Sequence, residues 1–240
     1  MPKHIPYCGI IFLIPLCLVG GAVADDSPRR ESIEWSDIWV PHADEDGLPR
    51  VLLAGDSITR GYYNGVEEAL NGRAYCARYS TSKFIGHADF LVELTNLLNT
   101  YRFDVIHINN GLHGWDYTEE EYAASFPRLL EILATHAQGA RVIWANTTPV
   151  RTAKNPSNFD PKTERVKARN RIAAEIMQTQ HIPVNDLFSL AEQHPEFYSQ
   201  DGVHFNDAGR AAQAKQVADV ISKILPTPPG KSATSADKKN

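Results

Sequence analysis

The stretch VLLAGDSITRG (51–61) sets the frame in which the rest of the chain is read. Four consecutive apolar residues run into Gly-Asp-Ser, and a polar turn with a second glycine follows. A short apolar run closed by turn residues is the pattern of a strand covered on both faces. Ser57, at its end, either caps the helix that follows or stands exposed as a nucleophile. The turn alone admits both.

Four further segments repeat the strand pattern: YCARY (75–79), FDVIHIN (103–109), ARVIWAN (140–146) and IPVNDLF (182–188). Trp144, inside one of them, is expected in the core. Helical patterns fall between the strands, at about 87–99 and 164–179 among others. Thr118 with Glu121 three residues on forms a capping box. Behind it Tyr122, Phe126, Leu129, Leu130 and Leu133 share one helical face. Asn206 is placed to cap a last helix striped by Val217, Val220, Ile221 and Ile224. This alternation predicts a three-layer α/β/α sandwich with a mainly parallel, flavodoxin-like five-stranded sheet.

The ends of the chain read differently. Residues 1–24 combine Lys3, an apolar run and a small-residue close at Ala22-Val23-Ala24, the order of a cleavable secretory signal peptide. The run is short for a membrane span and is interrupted by Pro6 and Pro15, so no stable membrane insertion is expected after processing. Residues 25–48 are charged and irregular and read as an exposed leader. The domain is expected over 49–225, and 226–240 has the composition of a disordered tail. The expected location is periplasmic or extracellular. Of the three cysteines only Cys76 lies beyond the signal segment, which excludes an internal disulfide. A net charge of −5 without basic runs argues against a nucleic-acid partner.

In an open parallel sheet, ligands bind beyond the carboxyl ends of the strands. Three polar segments fall there: GDSITRG, NGLHGWD and TTPVR. A fourth, SQDGVHFND (199–207), precedes the last helix. Serine needs a base, a group to orient that base, and donors for the oxyanion. His204 is the best base, and Asp201, three residues earlier across Gly202, can orient it through a turn.

Gly-Asp-Ser at the first strand end, with Asp-x-x-His just before the final helix, resembles the SGNH (GDSL-type) family of serine esterases and lipases. GDSIT (55–59) is similar to the family's nucleophile block and DGVHFNDAG (201–209) to its acid–base block. The resemblance covers nearly all of residues 50–225. It implies Ser57 as nucleophile, His204 as base and Asp201 as its orienter, with no metal or organic cofactor. The family's third block, Gly-x-Asn-Asp, departs here: Gly111 aligns, but His113 occupies the asparagine position and Gly114 the aspartate position. A neutral imidazole N–H can donate to an oxyanion as an amide does, so His113 is the first choice, with Asn110 the alternative. The second block falls near Ser82–Lys83, with Gly86 slightly beyond, and the Ser57 backbone N–H completes the expected hole.

The resulting expectation is a secreted serine esterase that works through an acyl-enzyme on short acyl, O-acetyl, groups of a carbohydrate. Trp115 and Tyr62–Tyr63 are candidate sugar-stacking residues, with core packing as the other reading of each. Arg151 either binds an acidic substrate group or faces solvent. The alternatives are a lysophospholipase or thioesterase, and a non-catalytic flavodoxin-like module that binds a phosphate or a glycan.

Overall fold

This computed structural model describes residues 29–137 and 139–226; the expected signal peptide and all but the first residue of the expected tail lie outside them. A six-stranded sheet is built from β1 (Ser36–Trp39), β2 (Arg50–Gly55), β3 (Tyr75–Thr81), β4 (Val105–Ile108), β5 (Arg141–Ala145) and β8 (Val184–Asn185), ordered β1-β3-β2-β4-β5-β8. Its last five strands are parallel and β1 is antiparallel to β3. The helices are α1 (Ser57–Ala69), α2 (Ala88–Thr100), α3 (Glu119–His136), α4 (Lys162–Thr179), α5 (Leu187–Glu192) and α6 (Asp207–Ile224). A separate hairpin, β6 (Arg151–Thr152) and β7 (Asn155–Phe159), follows β5.

β2 explains the layering. Every one of its residues is buried, and alternate side chains enter opposite cores. Val51 and Leu53 join Tyr63 and Val66 of α1 and Val217 and Ile221 of α6. Leu52 and Ala54 join Phe90 and Leu94 of α2 and Phe126 and Leu129 of α3. Each such large side chain contributes about 1.5–3 kcal/mol of burial. Trp144 is also core, as expected. The α3 capping box is present: Thr118 Oγ1 accepts from Glu121 N–H, and the Glu121 carboxylate accepts from Thr118 N–H. Asn206 caps α6 by accepting from Gly209 N–H.

Two expectations change. The stretch 25–48 contains strand β1, which pairs Ser36–Trp39 with Arg78–Thr81, so part of the expected leader belongs to the sheet. The last strand covers Val184–Asn185 alone, because Asp186 caps α5 through Ser189 N–H and turns the chain into a helix. The sheet therefore keeps the five expected parallel strands and gains an antiparallel edge.

β2 sits between β3 and β4, so the chain leaves it in one direction and returns on the other side. That reversal is the topological switch point, where α/β sheets open a crevice at the carboxyl ends of the strands. The loops after β2 and β4 flank it.

Candidate active site

The question posed by Gly-Asp-Ser has a structural answer. Asp56, not Ser57, caps α1: its Oδ1 accepts from Ile58 N–H at 2.8 Å. Ser57 is the first helical residue, and its hydroxyl lies 2.9 Å from His204 Nε2. His204 Nδ1 lies 2.7 Å from Asp201 Oδ2, while Asp201 Oδ1 accepts from the N–H groups of Val203 and His204, both at 2.9 Å. Burial pushes the Asp201 carboxyl upward, but its bonds to the His204 ring and to these two N–H groups outweigh that and hold its pKa below the usual value. A carboxylate so held keeps a proton on Nδ1 and leaves Nε2 free to take one from Ser57.

The Asp201–His204 loop is braced on both sides. Gly202 has φ +76°, and a Cβ there would collide with the carbonyl oxygen of Arg151. Arg151 N–H donates to Gly202 O at 2.7 Å and Lys154 N–H to Gln200 O at 2.6 Å, so the β6–β7 hairpin is stitched to the loop. The Arg151 side chain fits neither earlier reading. It is 3% exposed, donates to the carbonyls of Pro156 and Glu192, and lies over the rings of Phe159 and Tyr198. Arg151 is a buried brace.

The loop after β4 is held from three directions. Asn109 donates to Ala145 O, and Asn110 donates to Lys83 O at 2.9 Å. The Asn110 amide therefore ties this loop to the turn after β3 through one of its two N–H groups. Arg169, wholly buried on α4, donates to the carbonyls of Gly111 (3.0 Å), His113 (2.8 Å) and Gly114 (2.8 Å). Glu31, from the stretch read as a leader, lies 2.9 Å from His113 Nδ1 and accepts from Gly114 N–H. Burial opposes a charge on His113, yet the Glu31 bond and the Asp56 carboxylate prevail and raise its pKa. Nothing local in the sequence marks Glu31 or Arg169: one lies in a charged run, the other among the polar residues of a helix.

Other expected residues are placed elsewhere. Ser82 N–H donates to Trp35 O at 3.1 Å, which removes it from the oxyanion donors. Gly86 lies against α3, where a Cβ would collide with Ser125 Oγ, so packing accounts for this glycine. Tyr62 is 1% exposed and bonded to Thr59, a core residue and no sugar platform. Tyr63 is equally buried and donates to Cys76 O. Trp115 is half-buried under the cationic groups of Lys162, Arg165 and Arg169, 5.0–5.5 Å from its ring centre. A cavity of about 230 Å³ opens beside Ser57 and His204, and Arg60, Arg210 and Gln213 line it with them.

Residues 53–212 match the GDSL-like Lipase/Acylhydrolase family. The chain belongs to this family and is an SGNH-type carboxylic ester hydrolase. Solved structures share the fold at low identity. A carbohydrate acetylesterase from Sinorhizobium meliloti is 14% identical with a TM-score of 0.61, over 74% of this chain and 100% of the other. The inhibitor-bound aryl esterase of M. smegmatis is 15% identical with a TM-score of 0.61, over the same shares. A lipase/acylhydrolase from Enterococcus faecalis is 20% identical with a TM-score of 0.58, over 75% and 98%. Among curated proteins, none matches the chain.

Proposed function

We propose that the protein is an exported serine esterase that removes short acyl groups, O-acetyl above all, from a carbohydrate through an acyl-enzyme. The hydrogen-bonded chain Ser57–His204–Asp201 carries the reading. Ser57 Oγ attacks the ester carbonyl carbon while His204 Nε2 takes its proton, and Asp201 stabilises the imidazolium. His204 then protonates the departing alcohol. Water repeats the sequence on the acyl-enzyme, releasing the acid and restoring Ser57. The cavity supports a compact substrate over a long acyl chain, since its 230 Å³ is below the roughly 300–1,000 Å³ typical of sites for drug-sized ligands. Export rests on the sequence of residues 1–24, and among the described residues no helix is long and apolar enough to cross a membrane.

His113 and the Ser57 backbone N–H supply the oxyanion donors in this mechanism. Glu31 changes how His113 does so. A carboxylate on Nδ1 keeps a proton there, and a neutral ring then presents a lone pair at Nε2. Only the imidazolium donates from Nε2, and the raised pKa of His113 extends that form to higher pH. Catalysis therefore needs His204 neutral and His113 charged. The rate is expected to be lost as pH rises through the raised pKa of His113, and His113→Asn to abolish that alkaline limb. His113→Ala is expected to lower kcat by about 10²–10³. Unchanged kcat in His113→Ala removes this donor from the mechanism.

The reaction itself is tested by incubating the protein with a serine-directed organophosphonate and weighing it, alongside hydrolysis of p-nitrophenyl acetate. One adduct on Ser57 with turnover is expected; neither together sinks the esterase. A series of p-nitrophenyl esters against acetylated glycans tests the substrate, and a preference for long acyl chains refutes the carbohydrate.

A further inference from the structure

The cavity beside Ser57 has a chemical character that ester hydrolysis alone does not require. Arg60 lies three residues beyond Ser57 on α1, so the two share a helical face. Among the described residues no carboxylate pairs with Arg60; its guanidinium lies over the Trp35 ring, 4.8 Å from the centre. Arg210 enters from α6, and its aliphatic stem lies beside Gly61 of α1. Its ion-pair partner is Asp207, whose side chain is 97% exposed, and a pair so open to water is readily exchanged. Gln213, three residues further along the same face of α6, is 1% exposed, and among the described residues neither its amide nitrogen nor its oxygen has a partner. A buried amide left unpaired is destabilising, so such a group calls for an explanation.

Two cations and an unsatisfied donor–acceptor pair thus line one small cavity in a chain whose net charge is −5. The other charged groups nearby are committed: Asp201 to His204, and Asp56 to the α1 cap. We propose that this cavity selects acylated sugars that carry a carboxylate, with Arg60 and Arg210 binding the carboxylate and the Gln213 amide a neighbouring hydroxyl. Planar guanidinium groups suit a carboxylate better than any neutral ring substituent does. The proposal rests on Ser57 as the reacting hydroxyl, since that fixes which cavity holds the sugar.

The test compares O-acetylated methyl glucuronoside with O-acetylated methyl glucoside. The full chain is expected to favour the acid at least tenfold in kcat/KM, mainly through KM. Arg60→Gln is expected to bring that ratio close to one, and Arg60→Glu to reverse it. Added salt should shrink the preference in the parent protein. A ratio near one in the parent, or one unchanged in Arg60→Gln, overturns the proposal while p-nitrophenyl acetate turnover leaves the esterase standing. Absence of both turnover and a Ser57 adduct removes the esterase reading instead. Calorimetric binding of methyl glucuronoside against methyl glucoside then decides the cavity independently, with equal affinities overturning it.

Discussion

Ser57→Ala is expected to lower kcat for p-nitrophenyl acetate by about 10⁶, the loss found when the serine of a cooperating serine–histidine unit is removed. The fold should survive intact. Among the described residues the hydroxyl bonds with His204 alone, and the helix is capped by Asp56, so alanine removes the hydroxyl and nothing that holds α1. Melting temperature measured beside the rate separates the two effects: an unchanged melt with the rate gone is the expected pair. Activity within tenfold of the parent would place the nucleophile elsewhere.

The second large effect is expected at Arg169. Its guanidinium is fully buried and donates to the carbonyls of Gly111, His113 and Gly114, with Nε 3.4 Å from Glu119. Burial pulls its pKa down, with Arg165 adding to the effect, so the charge is tolerated because these acceptors surround it. Arg169→Met leaves three carbonyls without this buried charged donor, while Glu119 keeps its bond to Arg165. Breaking a buried pair of this kind costs about 3–5 kcal/mol, which for a chain of this size lowers Tm by roughly 6–20 °C. Arg169→Lys keeps a charge but not the fork, and should fall between. Because the same carbonyls shape the loop carrying His113, kcat should fall in Arg169→Lys even at temperatures where the protein is fully folded. A Tm within two degrees of the parent in Arg169→Met refutes the brace.

The fold and the contacts among Ser57, His204 and Asp201 are legible for one physical reason: both are written locally. VLLAGDSITRG announces a buried strand and the turn at its end, and Asp201-x-x-His204 needs only its own loop to bring carboxylate and imidazole to 2.7 Å. What escaped is written at long range. Glu31 reaches His113 across 82 residues, and Arg169 reaches Gly111 across 58. No periodicity or spacing encodes such a meeting. Arg151 meets neither of its two readings and Tyr62 takes its core reading for a related reason: a polar or aromatic residue at a strand end or helix start can face either way, and tertiary packing turns both inward. β1 was hidden because an edge strand paired on one side needs no continuous apolar run.

β1 also changes where this enzyme begins. The segment leading into it gives Glu31 to the His113 loop, Trp35 to Arg60, and Arg29 to Glu121 at the start of α3. A boundary drawn at residue 49 would keep the parallel sheet and the serine but sever the ties to the His113 loop and to the cavity beside Ser57. The stretch that reads as packaging ahead of the domain behaves as a clasp: it fastens a loop, a helix start and an arginine that come from three separate places in the chain.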